Sequence, residues 1–495
     1  LRTFCAMPQQ VELDTLHVLE VPRSQSAPAV DSESTGAASF LSRSSSDSAV
    51  IRDDLDLPPL HDLLPLAGAH ATAWRVDRDH LQSSFEAALN IANNSLGVGI
   101  FGSAFVFKEA GFLGATILLV SCAAINKYTL LLILRSCQLA GCEISYPEIG
   151  GRTLGRPGKV LICAVMFLNS FGILVSYVVS GGNCLQQLAH QWFGWSTGSL
   201  TMDEHVACVV VLLMVTPFCF IRSMRGIVYI SGGVLVAVLV ASFAIVGKCW
   251  AEILQGHHAA DSAKLNWFNW EPATVLTVLP TCMFAFVIHA GGPIVLASLR
   301  NSEWSNVTRV ANFGFVPVCF FTVIVGSSVY ARYGDATNGS VLTTIQGNSL
   351  VCVVIRLSVC LLMSLSFVFM AIPARYGAIM FFFGKGTDDV PPRVFNCSTV
   401  VLLVAVWAAS VLAVEAGGLG IVLRITGSIC STTMGIVLPC FIFVRIRGEV
   451  AAQWTRRIVC GKKGGLVLIG TLGLVAAVSG LASAIASIAA HRANG

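Results

Sequence analysis

The stretch Asn93-Asn94-Ser95-Leu96-Gly97-Val98-Gly99-Ile100-Phe101-Gly102 limits what this chain can fold into more than any other. It lies inside an apolar segment running from about Ser83 to Val106, long enough to cross a bilayer. Yet the segment carries two adjacent amides, a hydroxyl and three closely spaced glycines. Each glycine weakens a helix by about 1 kcal/mol relative to alanine. Buried amides also need hydrogen-bond partners that lipid does not supply. A spanning helix built of these residues is expected to break at this point and to line a cavity enclosed by protein.

The surroundings fit a membrane. Of 495 residues, 55% are hydrophobic and only 12% are charged, against about 25% charged in soluble proteins. A water-soluble core of this length would not hide so much apolar surface, so the chain reads as a polytopic, all-α membrane protein. Its formal charge of +4 is uneven: residues 1–80 hold twelve acids against six Arg. The basic excess of the remainder is assigned to membrane topology, with no nucleic-acid partner expected. The 17 cysteines form no CxxC pair and read as small buried hydrophobes, with no disulfide expected in the outer loops. No cleavable signal peptide is visible, and a chain beginning at Leu1 is expected to lack its true start or to be processed.

Residues 1–80 have no sustained apolar period, and the run Ser42-Arg43-Ser44-Ser45-Ser46-Asp47-Ser48 reads as part of a disordered cytosolic tail. Eleven spans are expected after it, at about 83–106, 112–134, 158–189, 205–221, 226–249, 273–298, 307–330, 348–373, 396–415, 419–444 and 464–490. The third is long enough to protrude on one side. With the N-terminus in the cytosol, sixteen Lys and Arg fall in cytosolic loops, beginning with Arg152 and ending with Lys463. The opposite side has Lys108, Lys248, Lys264, Arg332 and Arg492. That asymmetry supports the orientation and places His491 to Gly495 on the outer or luminal side. Asn338-Gly339-Ser340 is then a glycosylation candidate in an outer loop, whereas the sequons at Asn306 and Asn396 face the cytosol. The expected domains are the tail 1–80, a ten-helix core 81–445, and 446–495, which holds a cytosolic loop and the eleventh helix.

The sixth span carries a second interruption: Phe286-Val287-Ile288-His289-Ala290-Gly291-Gly292-Pro293. Glycine pairs and proline break helical hydrogen bonding. Breaks in the first and sixth spans, five apart, form the pattern of a five-plus-five inverted repeat with a midplane site. The eleventh span is additional to that repeat. A broken helix offers free N–H groups to an anion and free C=O groups to a cation. A zwitterionic amino acid carries both charges. Asn94, Ser95, Gly97, Val98 and Gly99 are the candidate substrate contacts in the first break, and Phe286 and His289 in the second. The competing reading is that the glycines only let helices pack closely. Ser364 and Ser366 in span eight offer oxygen ligands to a hard cation such as sodium, or simply bond their own helix. His289 suits proton coupling, and Glu415 with Arg424 could form an outer gate. Lys127 lies near the cytosolic end of its span and snorkels. With no Walker A loop, HExxH or GxSxG motif, no enzyme is indicated, and transport driven by an ion gradient is favoured over an ATP-driven pump.

These residues also resemble a known family. The first-span stretch, continued by Ala104-Phe105-Val106-Phe107-Lys108-Glu109-Ala110-Gly111-Phe112, is similar to the signature of the amino acid/auxin permease family. That family includes sodium-coupled neutral and vacuolar amino acid transporters. Further matches follow in order: Ser145-Tyr146-Pro147-Glu148-Ile149-Gly150 in the first cytosolic loop, Asn169-Ser170-Phe171-Gly172, Phe284-Ala285-Phe286-Val287-Ile288-His289 and Ile372-Pro373-Ala374-Arg375. The resemblance implies a LeuT-like core and secondary amino acid transport by alternating access, with no cofactor beyond Na+ or H+ as coupling ion. It implies a cation site of Asn93 with Ser364 or Ser366. Family members often have a Glu soon after the span-six His, where this chain has Ala290-Gly291-Gly292; sodium and proton therefore both stay open. The expected partners are an amino acid and membrane lipid, for a monomeric transport unit in the plasma membrane or a vacuolar or lysosomal membrane. The alternative function is an amino acid sensor that signals through its N-terminal tail with little flux.

Overall fold

The structure, a computed structural model, describes residues 81–142, 144–220, 227–256, 265–387 and 389–451. Toward the C-terminus it describes residues 470, 471, 473–475, 477, 478, 480–482 and 485. All belong to the unit Leu57–Gly495. The tail 1–80, with its serine run, lies outside the described residues. So do Lys264, most of the loop after residue 445, much of the eleventh span and the terminal His491–Gly495.

Helix α1 (Ser84–Ser95) opens with a capping box. Ser83 Oγ accepts from Glu86 N at 3.3 Å, and Glu86 Oε2 accepts from Ser83 N at 2.8 Å. The helix stops where expected: Leu96 and Gly97 leave helical geometry, and a short 3₁₀ helix restarts over Val98–Gly102. It runs into α2 (Ser103–Ala140). The first two expected spans therefore join without a loop, through a kink at Gly111 with φ 75°. That left-handed conformation favours glycine. A Cβ there would also lie 2.8 Å from the backbone of Asn266, Trp267 and Phe268. The same segment satisfies the backbone freed by the kink: Phe112 N donates to Asn266 O, Leu113 N to Trp267 O, and Asn269 N to Ala110 O.

Helix α3 (Tyr146–Phe193) kinks at Gly155, where φ is 69°. Ser145 to Gly150, expected as loop, is instead its N-cap and first turns, with Pro147 near the start, where a missing N–H costs nothing. Helices α4 (Leu200–Cys219) and α5 (Ile227–Leu254) follow. The sixth span divides into α6 (Pro272–Phe286) and α7 (Gly292–Ala297). Then come α8 (Trp304–Tyr333), the short α9 (Val341–Thr344), α10 (Leu350–Phe383), α11 (Pro392–Glu415) and α12 (Leu419–Thr426). Between α12 and α13 (Leu438–Ala451) the helix widens into π turns over Gly427–Ser431 and Thr433–Val437. Such π segments often occur at functional sites.

Among the described residues, eight helical stretches are long and apolar enough to cross a membrane. The first, Val98–Ala140, merges two expected spans, and the broken sixth span falls into pieces too short to qualify. Outward-facing Leu213, Phe243, Phe313 and Leu412 are each about two-thirds exposed, as suits lipid contact. The large buried side chains Phe101, Phe107, Tyr146, Phe286 and Phe367 fill the interior. Helix α2 lies along α6 and α8, and α1 along α8; α3 lies along α4, α10 and α11, and α5 packs against both α8 and α10. No strand occurs among the described residues, only a parallel bridge between Gln82 and Leu299. Through it Gln82 N donates to Ser298 O at 2.8 Å and Arg300 N to Gln82 O at 3.0 Å. The residues entering α1 are thereby tied to those leaving α7.

Candidate functional site

The structure brings the two helix breaks together. Asn94 Oδ1 is 3.7 Å from where a Cβ on Gly291 would sit, while Asn94 Nδ2 donates to Asn90 O at 2.9 Å. The first break also lies against α6: a Cβ on Gly99 would be 2.6 Å from the Cα of Ala285. On another side, a Cβ on Gly97 would be 3.1 Å from the hydroxyl of Tyr177 in α3. Gly102 sits under Leu423 of α12 and Thr281 of α6. The glycines thus serve close approach, toward α3, α6 and α12. They also leave bare backbone at a helix end, so the packing role and the binding role are compatible.

Backbone chemistry at the breaks follows from the geometry. The helix restarting at Val98 begins with N–H groups that have no partner inside it, and α1 and α6 end in carbonyls with none. The first favours negative charge and the second positive. Val287, in extended geometry, caps α6; Gly291 and Gly292 then both donate to Ile288 O, at 3.1 and 2.7 Å, and turn the chain into α7. Val98, Gly99, Phe286 and His289 are fully enclosed. The buried Ser95 Oγ has no hydrogen-bond partner among the described residues. Asn93 is half-buried on α1.

The oxygen ligands proposed in span eight lie on α10. Ser366 is buried on α10 near Tyr177, the residue beside Gly97. Ser364 is half-buried two residues earlier, about half a turn around the helix. Tyr177 of α3 therefore stands beside both the first break and α10. His289 turns toward α2, with Nε2 3.0 Å from Thr129 Oγ1. Glu415 is exposed at the end of α11. Arg424 turns inward over the Phe105 ring at 5.7 Å, bonds Gly420 O at 3.3 Å, and feels the charge of Glu109. Lys127 donates to Asn312 Oδ1 of α8 at 2.7 Å, so it is held inside the bundle. Asn338 is exposed in the segment before α9, with its backbone N bonded to Thr344 Oγ1 at 2.9 Å.

A cavity of about 530 Å³ opens elsewhere, among α3, α4, α10 and α11, with Asn183, Gln187, His190, Glu204 and Arg356 in its walls. None of its lining residues belongs to either break. Arg356 there is committed to Gln191 Oε1 and Gly347 O.

Residues 80–486 match the family described as "Transmembrane amino acid transporter protein". One similar protein is the putative sodium-coupled neutral amino acid transporter 11 of Bos taurus, 23% identical over 379 residues, covering 76% of this chain and 78% of that one. Another is vacuolar amino acid transporter 2 of Saccharomyces cerevisiae, 28% identical over 288 residues, covering 57% of this chain and 58% of that one. Among solved structures, MhsT in complex with L-phenylalanine superposes with a TM-score of 0.54 at 14% identity, covering 82% of this chain and 99% of that one. At that identity the likeness establishes the fold: an all-helical membrane protein of the LeuT-like class.

Proposed function

The chain belongs to the transmembrane amino acid transporter family, and on that premise we propose that it is a secondary active transporter moving an amino acid by alternating access, coupled to a proton or sodium gradient. The observation that carries this reading is the meeting of two broken helices, with Asn94 beside Gly291 and Gly99 against Ala285. The substrate carboxylate takes the N–H groups at Val98 and Gly99. Its ammonium takes carbonyls ending α1 and α6, with Asn94 and Ser95 completing the polar wall and Phe286 on the apolar side. A simple packing role for the glycines would leave the hydroxyl of Ser95 buried without purpose.

The architecture we propose is a ten-helix inverted repeat over 81–445, a tail before it and an eleventh span after it. The described residues near the C-terminus are consistent: Gly470 packs beside Cys440, and Gly480 against Pro280 and Ser428. For the cation we assign Asn93, Ser364 and Ser366. All three offer oxygen, which suits a hard monovalent ion. Arg424 and Glu415 stand at the outer end, and we assign the protein to the plasma membrane or a vacuolar or lysosomal membrane.

Uptake of a panel of radiolabelled amino acids into proteoliposomes, with sodium and pH gradients varied independently, tests the reading. Concentrative uptake under one gradient is expected. Binding without flux under every gradient would sink it and favour a sensor. Unchanged ion dependence in both Asn93→Ala and Ser364→Ala would remove the cation assignment.

A further inference from the structure

Two buried acceptors meet where the second break crosses α2 and the π turn Thr433–Val437. His289 is fully buried, with Nε2 3.0 Å from Thr129 Oγ1. That hydroxyl carries one proton, and the carbonyls of Ile125 and Asn126 lie 2.9 and 3.1 Å from it. A threonine so placed donates back to its own helix. We therefore assign Nε2 as an N–H donor to Oγ1, which leaves Nδ1 as a bare lone pair. Nδ1 has no hydrogen-bond partner among the described residues. Asn126 is also fully buried. Its Nδ2 donates to Cys122 O at 2.9 Å and approaches Met283 Sδ at 3.5 Å, while Oδ1 has no partner among the described residues.

Both groups border one small space. A Cβ added at Gly435 would lie 2.7 Å from Asn126 Oδ1, 3.4 Å from Val287 Cγ2 and 3.6 Å from His289 Cε1, the ring carbon between the two nitrogens. Buried polar atoms are nearly always paired, and here two acceptors share a space without a donor among the described residues. The nearby ionisable groups are engaged elsewhere or are buried cysteines. Lys127 reaches Asn312, the Tyr146 phenol donates to Met434 O at 2.8 Å, and Cys122 and Cys282 lie along α2 and α6. The buried charged residues Asp203, Arg356 and Arg375 bond Thr197, Gln191 and the Cys219 carbonyl.

We propose that His289 and Asn126 form a proton-binding site. The proton adds to the Nδ1 lone pair, no bond breaks, and the new N–H donates toward Asn126 Oδ1 while Nε2–H stays on Thr129. The inference rests on the transport reading above and names the proton as a coupling ion. Because His289 belongs to the break itself, any movement of α7 against α6 alters the distance to Asn126. Proton affinity and the state of the substrate site therefore share one structural element, which is what coupling requires.

Magic-angle-spinning spectra of ¹⁵N-histidine-labelled protein in lipid vesicles read the ring directly. The His289 signal is the one absent from His289→Gln. As the pH is lowered from about 8, the wild-type ring should pass from Nε2–H alone to doubly protonated. In Asn126→Leu, which lacks the acceptor, and in Gly435→Ala, which fills the space, it should stay singly protonated. The two variants act by different means, so failure of one to fold leaves the other to decide. A wild-type ring singly protonated throughout, or variants titrating like the wild type, would overturn the site. A pH-sensitive dye inside the same vesicles should show proton entry with amino acid uptake, lost in both variants. Absence of uptake under every gradient, with the ring titrating as described, would overturn the transport reading and leave the proton site standing.

Discussion

The first and second breaks interrupt their helices by different means. The first is narrow: two residues leave the helix, and Gly99 presses against fixed backbone, with Ala285 Cα 2.6 Å from a Cβ there. The second is wide: Val287 to Gly291 separate α6 from α7, and a Cβ on Gly292 would meet only the side-chain ends of Ile288 and Leu130, at 3.1 Å. The first break is therefore sterically locked and presents backbone. The second has room and carries a titratable side chain. Binding of charge by main chain and exchange of a proton by a ring make these different demands.

The sharpest way to break the contrast is Gly99→Ala. Its methyl has no flexible neighbour to displace, so about 3 kcal/mol of destabilisation is expected, with uptake falling to background; thermal unfolding in detergent measures the first. Asn94→Ala removes the polar side chain between the breaks. If it binds substrate, uptake at low concentration should fall about tenfold, equivalent to about 1.4 kcal/mol, with little change in melting temperature. Gly292→Ala should be milder than Gly99→Ala, at about 1 kcal/mol, since rotamer shifts in Ile288 and Leu130 relieve the contact. Equal losses at the two glycines would erase the distinction between a locked and a roomy break. The smallest effect is expected at Glu415→Gln. An exposed carboxylate at a helix end should change stability by less than about 0.5 kcal/mol and leave uptake within about twofold; a larger loss of uptake would favour a gate at that position.

Much of this architecture was legible in the residues. Asn93 to Gly102 and His289 to Pro293 contain the breakers that end α1 and separate α6 from α7, and both helices break there. Other features were not. Gly111 falls between the first two expected spans, yet one residue in left-handed geometry suffices to join them, because the segment around Asn266–Asn269 arrives from elsewhere in the chain to take its hydrogen bonds. The α3 start at Tyr146 looked like loop because Gly150, Gly151, Gly155 and Pro157 are helix breakers by local propensity. Packing overrides that propensity, as Gly150 and Gly158 bring the helical pieces on either side of the kink together. Asn126 went unnoticed beside the charged Lys127; a single amide in an apolar run was its only signal.

What the sequence determined alone is what depends on local composition and order. Spans long enough for a bilayer and two interrupted helices both follow from the cost of burying polar backbone in lipid. Which residues meet across helices was decided by the tertiary structure. Periodicity shows that a glycine leaves space, but not that Tyr177 stands beside Gly97 or that Ala285 backs Gly99. Likewise, a histidine at a helix break signals chemistry without naming its partners. Thr129, Asn126 and Gly435 become its neighbours only when α2 and the π turn are packed against it, because side-chain neighbourhoods in a helical bundle are set by contacts between residues far apart in the chain.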